Sequence, residues 1–249
     1  MAGHSKWANI KHRKGAADAK RGKVFAKLSR EVTIAAKLGG ADPDLNPRLR
    51  LILLKCRGAS MPKDNIDRAI AKGTGAGADG ANFEDLTYEI FGPGGVAILA
   101  EISTDNRNRT ASDIRSYVTK SGGNLATAGA VTRLFQKKGQ IVVARENAAE
   151  DDLMELALES GAEDFRSEPE GFTIITGPDE FEGVLKAIEE KEIETELAEI
   201  SQIPDLTAPV DEATAKSLSI LLEKIEDHDD VSAIYHNAEF PESEGGDED

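Results

Sequence analysis

QIVVARENAAEDDLMELALESGAEDFRSEPEGFTIITGPDEFEGVLKAIEEKEIETELAEI, residues 140–200, decides the fold. Short β-rich runs stand at Gln140–Ala144, Glu163–Arg166, Phe172–Thr176 and Glu194–Ile200, and helical periodicity fills Glu150–Glu159 and Pro178–Glu190. Read in order, the segment is βαββαβ, the ferredoxin-like pattern. Upstream, Leu86–Phe91 and Val96–Ile102 are strand-like and are joined by Gly92-Pro93-Gly94-Gly95, which has hairpin turn chemistry. A helix from Arg109 to Lys120 follows, and Ala130–Phe135 returns to strand character. Downstream, a helix over Asp211–Ile225 and a strand over Val231–Tyr235 have no sequence neighbours to pair with. They are expected to complete the sheet begun at residues 86–102, which makes the βαββαβ unit an insertion. The expected domains are therefore 81–138 plus 205–240, with 139–204 inserted and an acidic, disordered tail over 241–249.

The first third reads as helix. From Ala16 to Leu38, the residues Val24, Phe25, Leu28, Val32 and Ala35 recur at three- and four-residue steps until Gly39-Gly40 stops the pattern. Asn46-Pro47 is a cap followed by a first-turn proline, and the next helix carries Leu49, Ile52, Leu53 and Cys56 to about Ala59. Ser60-Met61-Pro62 opens a third, short helix through Ile66, Ala69 and Ile70. GTGAGADG, residues 73–80, is a glycine-rich linker. A flexible basic arm over 1–14 is thus followed by a bundle and linker over 15–80.

Charge divides the chain sharply. Its net charge of -16 is the sum of a basic start and an acidic remainder: residues 1–72 hold 17 Lys and Arg against 6 Asp and Glu, and residues 73–249 hold 13 against 40. A basic part of this size points to nucleic acid or another anionic surface. On an ideal helix Lys20, Lys23, Lys27, Arg30 and Lys37 share one stripe beside the apolar face. Such a stripe suits a phosphate backbone, because each neutralised phosphate releases condensed counterions; the alternative is a solvated helix face. Arg48, Arg50, Arg57, Lys63, Arg68 and Lys72 add the same sign. In the arm, Trp7 and His12 either stack on unpaired bases or anchor the arm to the body.

Other classes find little support. Cys56, the single cysteine, cannot form an intramolecular disulfide and sits among Ile52, Leu53 and Leu54 as a small core residue. The opening MAGHSKWANIKHRK has no apolar stretch of the roughly 7–15 residues a signal peptide needs, so a cytoplasmic location is expected. No apolar run approaches the roughly 20 residues that span a bilayer. Gly75, Gly77 and Gly80 match G-x-G-x-x-G but follow a helix and precede a strand, the reverse of a dinucleotide site. His228 with Asp227, Asp229 and Asp230, and His236 nearby, reads as a charged helix end, since no tetrahedral ligand spacing accompanies it. No catalytic dyad or triad is legible, so a non-enzyme without cofactor, metal or small-molecule substrate is expected.

Five segments are specific enough to compare with a known family. They are GHSKWANIKHRK at 3–14, the run from Lys20 to Arg30, MPKDNIDRAIAKG at 61–73, YEIFGPGGVAILAE at 88–101 and TDNRNRTASDIR at 104–115. Together the chain resembles the YebC/PmpR family over essentially its whole length. The resemblance implies an α+β multi-domain protein: an N-terminal three-helix bundle followed by two ferredoxin-like domains, one inserted in the other. It also implies a DNA-binding transcriptional regulator, although relatives such as the mitochondrial translational activator of cytochrome c oxidase subunit I act on ribosomes. Lys6, Trp7, Lys11, Arg13 and Lys14, with the helical basic row, are then the expected contact surface. A second candidate is TDNRNRT, where Asp105, Asn106, Arg107, Asn108 and Arg109 precede a helix whose free N–H groups favour an anion. The competing reading of that segment is helix capping by Asn108 or Asp105.

Three functions remain open on these residues. The first is a transcriptional regulator that binds duplex DNA through the bundle while the acidic domains meet a protein partner. The second is a translation factor that sets the same surface on ribosomal RNA. The third is an acidic interaction scaffold that binds no nucleic acid.

Overall fold

The computed structural model describes residues 17–75 and 83–241, with side chains from residue 22 onward. The expected basic arm, the linker beyond Gly75 and the acidic tail beyond residue 241 lie outside the described residues. The chain is mixed α and β and separates into two compact units. One unit joins the helical first third to residues 137–202, and the other joins residues 82–136 to the chain from residue 203 on.

In the first unit, α1 (Ala17–Gly39), α2 (Pro47–Gly58) and α3 (Lys63–Thr74) form the bundle. Leu28, Val32, Ala35, Leu49, Ile52, Cys56, Met61 and Ala69 make its core. Asn46 organises the first corner. Its side-chain oxygen accepts from the Leu49 N–H at 3.1 Å, and its amide nitrogen donates to the carbonyls of Ala35 and Gly40, both at 2.9 Å. One buried side chain thus caps α2 and satisfies the open carbonyl end of α1. The crossing of α1 and α3 is close because Gly73 has no side chain: a Cβ there would run into the Thr33 carbonyl and come within 2.9 Å of the Ala36 Cβ.

The rest of this unit is β4 (Phe135–Ala144), α5 (Glu150–Glu159), β5 (Ala162–Glu168), β6 (Gly171–Thr176), α6 (Phe181–Glu190) and β7 (Leu197–Pro204). Its sheet runs β5-β6-β4-β7, the strand order that a βαββαβ chain takes when each helix crosses back over one strand. Ile141, Val143, Phe172 and Ile174 on the sheet pack with Leu153, Phe181, Val184 and Ile188 from the two helices. Leu51 and Leu54 of α2 pack against the same cluster.

In the second unit, β1 (Glu84–Phe91) and β2 (Ala97–Thr104) form an antiparallel hairpin in register from Glu84↔Thr104 to Phe91↔Ala97. Its tight turn holds Gly94 and Gly95 at φ of 70° and 75°, where a side chain would be strained. Next come α4 (Arg107–Lys120), a short β3 (Asn124–Leu125), a two-residue β8 (Ala208–Pro209), α7 (Glu212–Glu226), β9 (Val231–His236) and β10 (Ala238–Glu239). The main sheet runs β3-β1-β2-β9. The late strand therefore joins the early hairpin, as the sequence pattern suggests. Both faces of β2 are covered: Ile98, Ala100 and Ile102 pack under α4 and α7, and Ala97 and Leu99 pack with Val131 and Phe135.

The strand expected over Ala130–Phe135 is not one. A single 3-10 turn occupies Thr132–Leu134, and β4 starts only at Phe135. The cause lies on β1. The Glu89 carboxylate accepts from the N–H groups of Gly129, Val131 and Thr132 at 2.6, 2.6 and 2.8 Å, taking donors that a ladder would need. Burial pushes the Glu89 carboxyl up, but these backbone donors outweigh it and hold the group below its usual range. No helix among the described residues is long and apolar enough to cross a membrane.

Candidate nucleic-acid interface

The cations of the bundle divide by exposure. Lys23 is exposed, while Lys27, Arg30 and Lys37 are half-buried. Ile34, which continues the Lys20–Lys27 row at the next seven-residue step, is 1% exposed. The expected stripe is therefore not one open face; it is covered where Ile34 lies. The side chain of Lys20 is outside the description, as are Lys6, Trp7, Lys11, Arg13 and Lys14.

On α2 the expected cations serve the unit itself. Arg50 Nε meets Glu182 Oε1 at 2.6 Å and Arg57 Nη1 meets Glu189 Oε1 at 3.0 Å. Both pairs span 132 residues of sequence, and both partners sit two turns apart on their helices. α2 and α6 therefore run side by side in the same direction, with the ion pairs flanking the Leu51 and Leu54 contact. Arg48 is half-buried on the same helix. On α3, Lys63, Arg68 and Lys72 are exposed. Arg68 folds back onto the Asp64 carbonyl at 3.0 Å and onto the Asn65 side-chain oxygen. Lys63 and Lys72 have no ion-pair partner among the described residues. Lys23, Lys63 and Lys72 are thus the exposed lysines of the described bundle.

The TDNRNRT segment has a different role from the anion site expected of it. The helix begins at Arg107, two residues earlier than its periodicity suggests, and its cap is Asn106, which accepts from the Arg109 N–H at 3.1 Å. Neither Asn108 nor Asp105 caps it. An anion already occupies this end of the helix: Asp230, 2% exposed. Its Oδ2 accepts from the Thr110 hydroxyl at 2.6 Å, the Thr104 hydroxyl at 3.0 Å and Arg109 Nη2 at 2.9 Å. Arg109 also reaches Asp105 at 2.9 Å. The segment is a clasp that fixes α4 to the loop before β9, and Arg109 is engaged in it by both Asp230 and Asp105. Arg107 stays exposed. Asp230 lies 120 residues from Thr110, and nothing near Thr104–Thr110 in the sequence announces it. Glu182 and Glu189 are hidden in the same way among many carboxylates.

Cys56 is fully buried, and burial pushes its thiol up to about 11, far from a reactive thiolate. His228 contacts Asp113 at 3.4 Å and accepts from the Asp230 N–H at 3.1 Å, within a turn. Among the described residues no group of three or more His, Cys, Asp or Glu is placed to hold a metal ion.

Two family models match this chain. One, for the TACO1/YebC protein N-terminal domain, covers residues 5–76, and the other, for the TACO1/YebC second and third domain, covers residues 83–238. The chain belongs to the TACO1/YebC family. A relative from Treponema denticola, named a probable transcriptional regulatory protein, is 51% identical over 242 residues, 97% of this chain and 98% of its own. One from Desulfatibacillum aliphaticivorans with the same name is 50% identical over 248 residues, covering 100% of each chain. The crystal structure of a conserved hypothetical protein from Aquifex aeolicus is similar at 43% identity. It has a TM-score of 0.78 and covers 91% of this chain and 93% of its own. The boundary between the two TACO1/YebC models falls at the glycine-rich linker. The family's names support a regulator.

Proposed function

We propose that this TACO1/YebC protein is a non-enzymatic regulator of gene expression in the cytoplasm that holds duplex DNA through its basic bundle. The observation that carries the reading is the set of outward ammonium groups, Lys23, Lys63 and Lys72, on a folded helical scaffold in a chain that is otherwise strongly acidic. The relatives' names, probable transcriptional regulatory protein, support the regulatory role. The arm residues Lys6, Trp7, Lys11, Arg13 and Lys14 extend the proposed contact, and the acidic domains offer carboxylate-rich surfaces to a protein partner.

A second reading, an RNA-binding translation factor, is favoured by one observation. Base edges in a major groove are read best by Asn, Gln and Arg. Residues 17–75 contain no Gln and two Asn. Asn46 is buried in its cap and Asn65 is engaged by Arg68. Such a bundle is equipped for backbone more than for sequence. Crosslinking in cells with sequencing of both DNA and RNA tests the proposal: enrichment at promoters supports it, and enrichment of ribosomal RNA replaces it with the second reading.

A further inference from the structure

The outer face of α4 carries an open groove lined by Asn108, Ser112, Arg115, Ser116, Thr119 and Lys120. It belongs to the second unit, not to the bundle. That unit is acidic, yet four of the seven Lys and Arg among its described residues sit on this one helix, which carries a single acid, Asp113. Asp113 faces His228 instead of the groove. Of the four cations only Arg109 is drawn into the Asp230 clasp. Arg107, Arg115 and Lys120 are exposed and have no ion-pair partner among the described residues. The hydroxyls of Ser112, Ser116 and Thr119 likewise make no hydrogen bond among those residues, although Ser and Thr on helices commonly bond the carbonyl four residues back.

From Asn108 to Lys120 the groove's lining is about 18 Å long at 1.5 Å per residue, room for several phosphates. Its cations alternate with groups that both donate and accept. Phosphate asks only for donors; a ribose 2′-hydroxyl asks for both. Tyr88, half-buried on β1, packs against the core that Ile114 and Val118 of α4 help to form, on the side of the helix away from the groove.

We infer that the α4 face is a second nucleic-acid surface and that its ligand is the sugar–phosphate backbone of single-stranded RNA. The inference rests on the proposal that this protein binds nucleic acid but assigns a new surface and chooses the strand chemistry.

The test uses the full chain and a 20-nucleotide unstructured RNA with the DNA of the same sequence, titrated at several salt concentrations. Arg107→Gln, Arg115→Gln and Lys120→Gln together should lower the salt slope for RNA by about 2, at about 0.7 per phosphate contact on a single strand. Ser112→Ala, Ser116→Ala and Thr119→Val together should reduce the preference for RNA over DNA and leave the slope alone. All six positions are exposed or half-buried, and unaltered thermal unfolding verifies the fold. An equal loss for RNA and DNA would overturn the RNA assignment, and unchanged binding would overturn the surface. A variant with Lys23→Gln, Lys63→Gln and Lys72→Gln, run alongside, separates the two readings: if it loses binding while the α4 variants keep it, the bundle proposal stands and this inference alone fails.

Discussion

Replacing Asp230 by Ala should destabilise the protein by about 3 kcal/mol while leaving nucleic-acid binding intact below the unfolding transition. The magnitude follows from the clasp. Two threonine hydroxyls, Thr104 at 3.0 Å and Thr110 at 2.6 Å, donate to one carboxylate oxygen of a residue 2% exposed. Hydrogen bonds to a charged partner contribute about 1.5–3 kcal/mol each. The substitution does not forfeit the full sum. Thr104 and Thr110 still reach one another at 2.9 Å, and Thr110 still reaches the Asn106 carbonyl at 3.2 Å. Arg109 is exposed, so its contact adds nothing to the figure. For a cooperative chain of this size, 3 kcal/mol lowers Tm by roughly 6–12 °C, at about 2–4 °C per kcal/mol. Calorimetry with parallel binding titrations at 15 °C gives both numbers, and Arg109→Gln is the companion variant, expected to bind like the parent. The clasp reading is wrong if Asp230→Ala melts within a degree or two of the parent. It is equally wrong if Arg109→Gln weakens binding as much as removal of a bundle lysine does.

Other outcomes follow from the same geometry. Gly73→Ala should cost about 1–3 kcal/mol through overpacking of the α1–α3 crossing, in spite of a helix-propensity gain of about 1 kcal/mol. Gly22→Ala, where nothing lies within 4 Å, should show the gain alone; urea unfolding of both compares them. His236, whose Nδ1 is buried without a partner, has its pKa pushed below 6.5 by burial. The unfolded chain therefore takes up that proton first as pH falls. Stability should decline below about pH 6.5, ahead of the carboxylates, and His236→Gln should flatten that part of the profile. Glu182→Gln with Glu189→Gln should cost under about 1 kcal/mol, since both ion pairs are more than a third exposed. Releasing Arg50 and Arg57 should meanwhile steepen the salt slope of DNA binding. An unchanged slope would mean that α2 lies away from the polyanion.

Periodicity carried most of the architecture because helices and strands leave local signatures. The three bundle helices, the βαββαβ run, the Gly92–Gly95 turn and the return of the last strand to the first hairpin were all legible from apolar spacing and turn residues. Ala130–Phe135 was misread for a reason that no local pattern records: Glu89, some 40 residues upstream, holds its backbone donors. The candidate site was legible only as charge. Lysine spacing located the α1 stripe but could not show that Ile34 is covered or that α6 supplies glutamates to Arg50 and Arg57. TDNRNRT stood out as a polar motif, yet its meaning depended on Asp230. Glu89, Asp230, Glu182 and Glu189 all act at long range, and in a chain with 46 acidic residues the few that staple the fold look like all the others.

Salt-dependent DNA binding tests the central claim most directly. The logarithm of the affinity of the full chain for duplex DNA, plotted against the logarithm of salt concentration, should be linear and steep. Replacing Lys23, Lys63 and Lys72 by Gln should reduce that slope by about 2–3, at about 0.9 per phosphate contact, and should lower affinity equally for unrelated sequences. A variant that stays folded and binds with the parent's slope and affinity would contradict the account.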